Sequence, residues 1–145
     1  MKNFLILLFA GLLAGAYATA QCNKKIVWTA SKAEFVDGTG NVQDTKEVAV
    51  ILHTSDKSIT IIHNDEPADS LHGPVKDIQC DWKEPVKTGK ITLSGELGDR
   101  SGETNKCTLV IEARDSKIII LLTVDRPDGE KKYIRIPIDS YKEEK

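Results

Sequence analysis

The sequence predicts an all-β protein, a single-domain antiparallel up-and-down meander of about eight strands over residues 21–145, built as a small barrel or, alternatively, a β-sandwich. Three observations predict it. Apolar and β-branched residues recur with period two or in short unbroken runs. Gly, Pro, Asn, Asp and Ser cluster between those runs. The connections are also short: a parallel crossover needs roughly a dozen residues or more, so successive strands must be antiparallel neighbours.

The segment ahead of the meander reads as an export signal. Lys2 supplies a positive start, Phe4 to Leu13 is almost wholly apolar, and Ala18-Thr19-Ala20 fits the small-residue pattern cut by a signal peptidase. Residues 1–20 are therefore assigned to a signal peptide, and the domain is expected to be exported, periplasmic or extracellular. The apolar run is shorter than the roughly 20 residues of a spanning helix, so no membrane span is expected. Cys22 raises a second reading, a lipoprotein anchored through that cysteine, although Gln21 stands where such processing needs a small residue.

The first strand, 24–36, carries Ile26, Trp28 and Ala30 on one face and ends at the turn cluster Asp37-Gly38-Thr39-Gly40-Asn41. The second and third, 46–54 and 58–64, are β-branched runs joined by Ser55-Asp56-Lys57. A polar stretch with at most one helical turn near Ala68–His72 leads to the fourth, 75–82. In the fifth, 89–97, Ile91, Leu93 and Leu97 alternate with Thr92, Ser94 and Glu96, as in a half-buried strand. Gly98 to Gly102 turns the chain into the sixth, 104–113, and Arg114-Asp115-Ser116 into the seventh, 117–125. That seventh run, Ile118-Ile119-Ile120-Leu121-Leu122, is apolar on both faces. Arg126-Pro127-Asp128-Gly129 has hairpin chemistry and leads to the eighth, 131–139. Lys142-Glu143-Glu144-Lys145 mixes signs and reads as a solvated terminus.

Strands apolar on both faces suit a sandwich, or a barrel with part of its outside covered, or a dimer contact. Uniformly local connections favour the barrel, which hides its edges by closing. The oligomeric state stays open.

The net charge of −2 offers no basic face, so nucleic acid is not expected as a partner. Three cysteines are present, and an oxidising compartment would join two of them. Cys80 shares a face with Ile78 and Trp82, and Cys107 with Leu109 and Ile111, so Cys80–Cys107 is the favoured bridge. No Cys-x-x-Cys occurs.

Catalytic and metal-binding patterns fail on spacing. His53 and His63 flank one hairpin, where they lie about 13 Å apart or on opposite faces, depending on register. Neither arrangement holds one zinc. The Asp37 turn places Val42 and Val48 where a calcium hand needs Gly and Glu. No Gly-x-Ser-x-Gly elbow occurs. The expectation is no catalytic residues, no metal and no cofactor.

Two candidate binding regions remain. Trp28, Trp82, Leu93, Leu109 and Leu122 point to the interior, where they would line a cavity for an apolar ligand. The longer connections all fall at one end of a meander, and collect Asp37, His72, Asp99, Arg100 and Arg126 there. Arg135, facing away from Ile134 and Ile136, could stack on Trp28 and join the last strand to the first. A first-strand tryptophan in a small exported meander resembles the lipocalin superfamily in shape; the usual Gly two residues earlier is replaced by Ile26. The expected function is a non-catalytic exported binding protein, with a small apolar ligand inside or a protein partner at the long-loop end. The rival is a protein-interaction or envelope-structural module with a filled core, and an enzyme of unknown class comes third.

Overall fold

The computed structural model describes residues 22–84 and 86–145; the signal-peptide assignment lies outside them. Nine strands follow in order: β1 (Lys25–Val36), β2 (Val42–Thr54), β3 (Ser58–His63), β4 (Leu71–Glu84), β5 (Thr88–Gly98), β6 (Thr104–Arg114), β7 (Lys117–Asp125), β8 (Lys131–Pro137) and β9 (Ser140–Glu144). One 3-10 turn, Pro67–Asp69, interrupts them before β4. Each strand from β1 to β8 pairs antiparallel with the next, and β8 returns to β1. The result is a closed eight-stranded barrel with one additional strand. The meander is the barrel, and the sandwich is not formed. Among the described residues no helix is long and apolar enough to cross a membrane.

The ninth strand corrects the expectation of a solvated terminus. Glu34 pairs with Arg135 on β8, and Thr29 to Lys25 pair with Ser140 to Glu144 on β9, all with one constant offset. β9 is therefore β8 continued past the point where β7 begins. It forms because the backbone of Lys25–Thr29 needs partners on that side and no other strand reaches it. Its side chains are all exposed, which is why its sequence carries no alternating pattern.

β1 changes face midway. Ile26, Trp28 and Ala30 point inward with period two, which would carry Lys32 and Glu34 inward as well. The register with β2 slips between Ala30 and Lys32. This rephases the strand, so that Ala33 is buried inside and Glu34 lies on the outer side. Gly73 allows another irregularity: a Cβ there would meet the Glu96 carbonyl oxygen at 1.8 Å, so β4 can lie this close to β5 only without a side chain.

The rephasing creates the barrel seam. Glu34, although only 9 % exposed, accepts a hydrogen bond from Arg135 Nε at 2.6 Å and lies 3.2 Å from Lys32 Nζ. The Arg135 hydrogen bond, against the opposite push of burial and with help from Lys32, holds the Glu34 carboxyl below its ordinary value of 4.5. Its contribution is therefore fully present above that ordinary value and lost as pH falls through the depressed one. Arg135→Met is expected to cost about 2 kcal/mol at neutral pH, since it strands a mostly buried carboxylate. Urea unfolding of wild type and variant should converge as pH falls below the depressed value, where Glu34 is neutral in both. An unchanged difference across that range would contradict the seam. Arg135 thus joins the last strand to the first through Glu34, not by stacking on Trp28 as the sequence suggested. Trp28 instead faces Tyr141 of β9, with ring centroids 5.8 Å apart.

The cysteine pairing differs from expectation. Cys22 and Cys80 form the disulfide, with Cα atoms 6.1 Å apart, and Cys107 is free and buried. Cys80 lies opposite Ile91 of β5, whereas Cys107 lies opposite Gly95. Four residues of strand separate them, roughly 13 Å, beyond the reach of a bridge. Cys80 is also exposed at the foot of β4 and does not face the core as its neighbours suggested. The bridge engages the Cys22 sulfur, the atom through which a lipid anchor would be attached. It is consistent with an oxidising environment.

Candidate functional site

The barrel interior divides into two halves. The half containing the start of β1 and the end of β2 is filled. Trp28, Leu52, Leu109 and Ile120 are completely buried there, and Ile59 and Ile111 nearly so. Trp28 Nε1 donates to Thr54 Oγ1 at 2.8 Å, which satisfies the one polar atom of the ring. The space left among Trp28, Ile91, Leu93, Ile111 and Cys22 is about 10 Å3, at most one water.

The other half opens toward the long connections as a cavity of about 360 Å3. Its walls are the inward faces of six strands. Ala33 and Phe35 come from β1, Val48 and Val50 from β2, and Ile61 from β3. Leu71 from β4 and Leu122, Ile134 and Ile136 from β7 and β8 complete the apolar lining. At the rim stand Lys46, His63, Asn64 and Lys132, and no carboxylate lines the cavity. Lys46 Nζ lies 5.3 Å and Lys132 Nζ 4.8 Å from the centre of the Phe35 ring, within the range of cation–π attraction. The volume falls in the size range of small-molecule pockets, and an apolar wall with a few polar groups at one end is their usual chemistry.

Of the five expected interior residues, only Leu122 lines this cavity. Trp28 and Leu93 border the small void below it, and Leu109 is packed into the filled half. Trp82 is half-buried at the foot of β4, against the edge of the core. Val48 and Ile61 could have been found from strand alternation; the register slip in β1 hides Phe35, and Leu71 falls ahead of the fourth strand as the sequence delimits it. Lys46 and Lys132 carried no signal in the sequence, because a strand-end lysine reads as a solvent-facing charge.

None of the five loop-end residues lines this cavity, and two of them serve their own turns. Asp37 accepts hydrogen bonds from Thr39 Oγ1 at 2.7 Å and from the backbone N–H groups of Thr39 and Asn41 at 2.9 Å. These bonds, that from Thr39 Oγ1 first, lower its pKa to about 2. Asp99 accepts from the Ser101 backbone and hydroxyl in the same way, and its pKa is also lowered. Both are Asx turns that shape a connection. Arg126 closes the β7–β8 hairpin through its backbone N–H to the Glu130 carbonyl, and its side chain lies 3.8 Å from Asp128. Arg100 borders a shallow open depression beside His63 and Asp69. His72 lies next to Leu71 on the opposite, exposed face of β4.

His63 pairs with Val50 and His53 with Thr60, so the two imidazoles occupy opposite faces of the hairpin. Among the described residues no three His, Cys, Asp or Glu side chains cluster as metal ligands. Burial pushes the Cys107 thiol up, and nearby Asp125 adds to the shift, so the sulfur stays protonated.

A second concavity lies on the outer wall. It measures about 640 Å3 and runs over Val110, Ile119, Leu121 and Tyr133, with Arg114, Lys117 and Arg135 along its length. Ile119 is 43 % exposed there. This is the outward face of the seventh run, the one apolar on both sides.

Comparison with protein-family models, with curated proteins and with solved structures finds no match to this chain.

Proposed function

We propose that this is an exported, non-catalytic binding protein that carries a small apolar ligand in the open half of its barrel. The observation that carries the reading is the division of the interior. One half is packed around Trp28, and the other keeps about 360 Å3 of apolar space open to the rim. A barrel of this size can fill its interior with side chains, or keep room for one small ligand. Export is supported by the signal-like leader and by the Cys22–Cys80 bridge. A non-catalytic role is supported by the groups with displaced pKa values. Glu34, Asp37 and Asp99 each serve a seam or a turn, and Cys107 is buried as a neutral thiol.

Leu71 tests the site, because it is only partly buried and projects into the cavity. Leu71→Trp is expected to fill the space while leaving the strand signal in circular dichroism unchanged. Nile red, a neutral polarity-sensitive dye, should brighten and shift to the blue with the wild type, and its affinity should fall about tenfold or more with the variant. The outer groove favours a second reading, an interaction module that presents Ile119 to a partner protein. Dye binding that survives Leu71→Trp and disappears with Ile119→Lys would support that reading and overturn the first.

A further inference from the structure

Resting on that binding reading, we propose that the ligand is an amphipathic anion, its apolar body inside the cavity and its charged head between Lys46 and Lys132. The register places the two lysines on either side of one ring. Lys46 is opposite Ala33 on β2, Phe35 is opposite Ile134 on β8, and Lys132 lies two residues from Ile134 on the same face. Both ammonium groups turn toward Phe35, at the junction between the apolar wall and the solvent.

Two like charges converging on one ring repel each other. Among the described residues, no carboxylate lies within ion-pair distance of either. Asp44, two residues from Lys46, and Glu130, two residues from Lys132, are both exposed and form no part of the cavity wall. Neighbouring Lys131 and Arg126 differ, since Asp125 and Asp128 stand beside them. His63 and Asn64 add polar groups to the rim, and neither is acidic. In a chain of net charge −2, the mouth is thus a local concentration of positive charge. An anionic head relieves the repulsion and gains charge-assisted hydrogen bonds. A neutral head relieves nothing, and a cationic head adds to it. At about 30 Å3 per non-hydrogen atom, the volume a water takes in the liquid, the cavity accepts a body of about twelve such atoms. That is the size of a medium-chain carboxylate.

Calorimetric titration with decanoate, decanol and decylammonium separates the possibilities. Decanoate is expected to bind about tenfold tighter than decanol at low salt, and decylammonium weakest. The double variant Lys46→Gln/Lys132→Gln should lose about tenfold or more of the decanoate affinity and leave decanol within about twofold. Raising salt to about 0.5 M should narrow the wild-type gap between decanoate and decanol. Equal binding of decanoate and decanol, a preference for decylammonium, or a decanoate affinity unmoved in the double variant overturns the anion assignment and leaves the carrier standing. Failure of all three to bind, or binding untouched by Leu71→Trp, removes the carrier and this inference together.

Discussion

Replacing Cys22 and Cys80 by serine is expected to lower the unfolding free energy by about 4 kcal/mol. The bridge closes a sequence separation of 58 residues, and the chain-entropy relation for a loop of that length gives this magnitude. The structure adds a reason for a large effect. Pairing between β3 and β4 ends at Ser58 and Pro74, so the run of β4 from Val75 to Glu84 has only β5 as a strand neighbour. The bridge sits in that half-supported stretch and ties it to the residues just ahead of β1. Cys22 also closes the small void beneath Trp28. Urea unfolding with and without dithiothreitol reads the effect. Wild type should lose stability on reduction, the double serine variant should not respond, and Cys107→Ala should behave like wild type. If Cys107→Ala instead abolished the response to reductant, the bridge would involve Cys107 and the assignment here would fall.

Trp28→Ala is expected to cost about 3–5 kcal/mol, the range for deleting a large aromatic from a core that cannot collapse. The ring is completely buried, and walls of Leu52, Leu109 and Ile111 close off relaxation. The loss also strips Thr54 Oγ1 of its donor. Trp28→Phe separates the two contributions. It keeps most of the apolar contact and removes the hydrogen bond, and should cost about 1–2 kcal/mol. Combined with loss of the disulfide, Trp28→Ala should be non-additive, because Cys22 and Trp28 border the same void. A cost for Trp28→Ala below about 1 kcal/mol would mean that the lower half of the barrel is not packed as described.

The strands were legible because their signal is local. Period-two alternation in β5 and the turn chemistry after β7 specify pairing between sequence neighbours, and seven of the eight barrel contacts are of that kind. The eighth contact, β8 on β1, leaves no local trace. What was missed depends on depth and distance instead. Alternation says that Leu93 and Leu122 face inward, but only the stagger of the barrel shows that one is at the packed floor and the other at the open cavity. Ser140–Glu144 forms a strand because of what β1 lacks, and its own composition is that of a loop. The cysteine pairing turned on where a segment ahead of the first strand folds back, for which no periodicity exists. Lys46 and Lys132 acquire meaning only when β2 and β8, far apart in sequence, flank the same phenylalanine.

The seam between Glu34 and Arg135 joins residues 101 positions apart. A ribosome adding about 5–20 residues per second needs about 5–20 s to cover that distance. Throughout that interval the first strand has its second-strand neighbour but nothing on its opposite flank. An open flank of this kind is a template for any passing extended chain. The polar side chains Lys25, Thr29, Ser31 and Lys32 along it make such recruitment costly until the carboxyl-terminal segment emerges and takes the place.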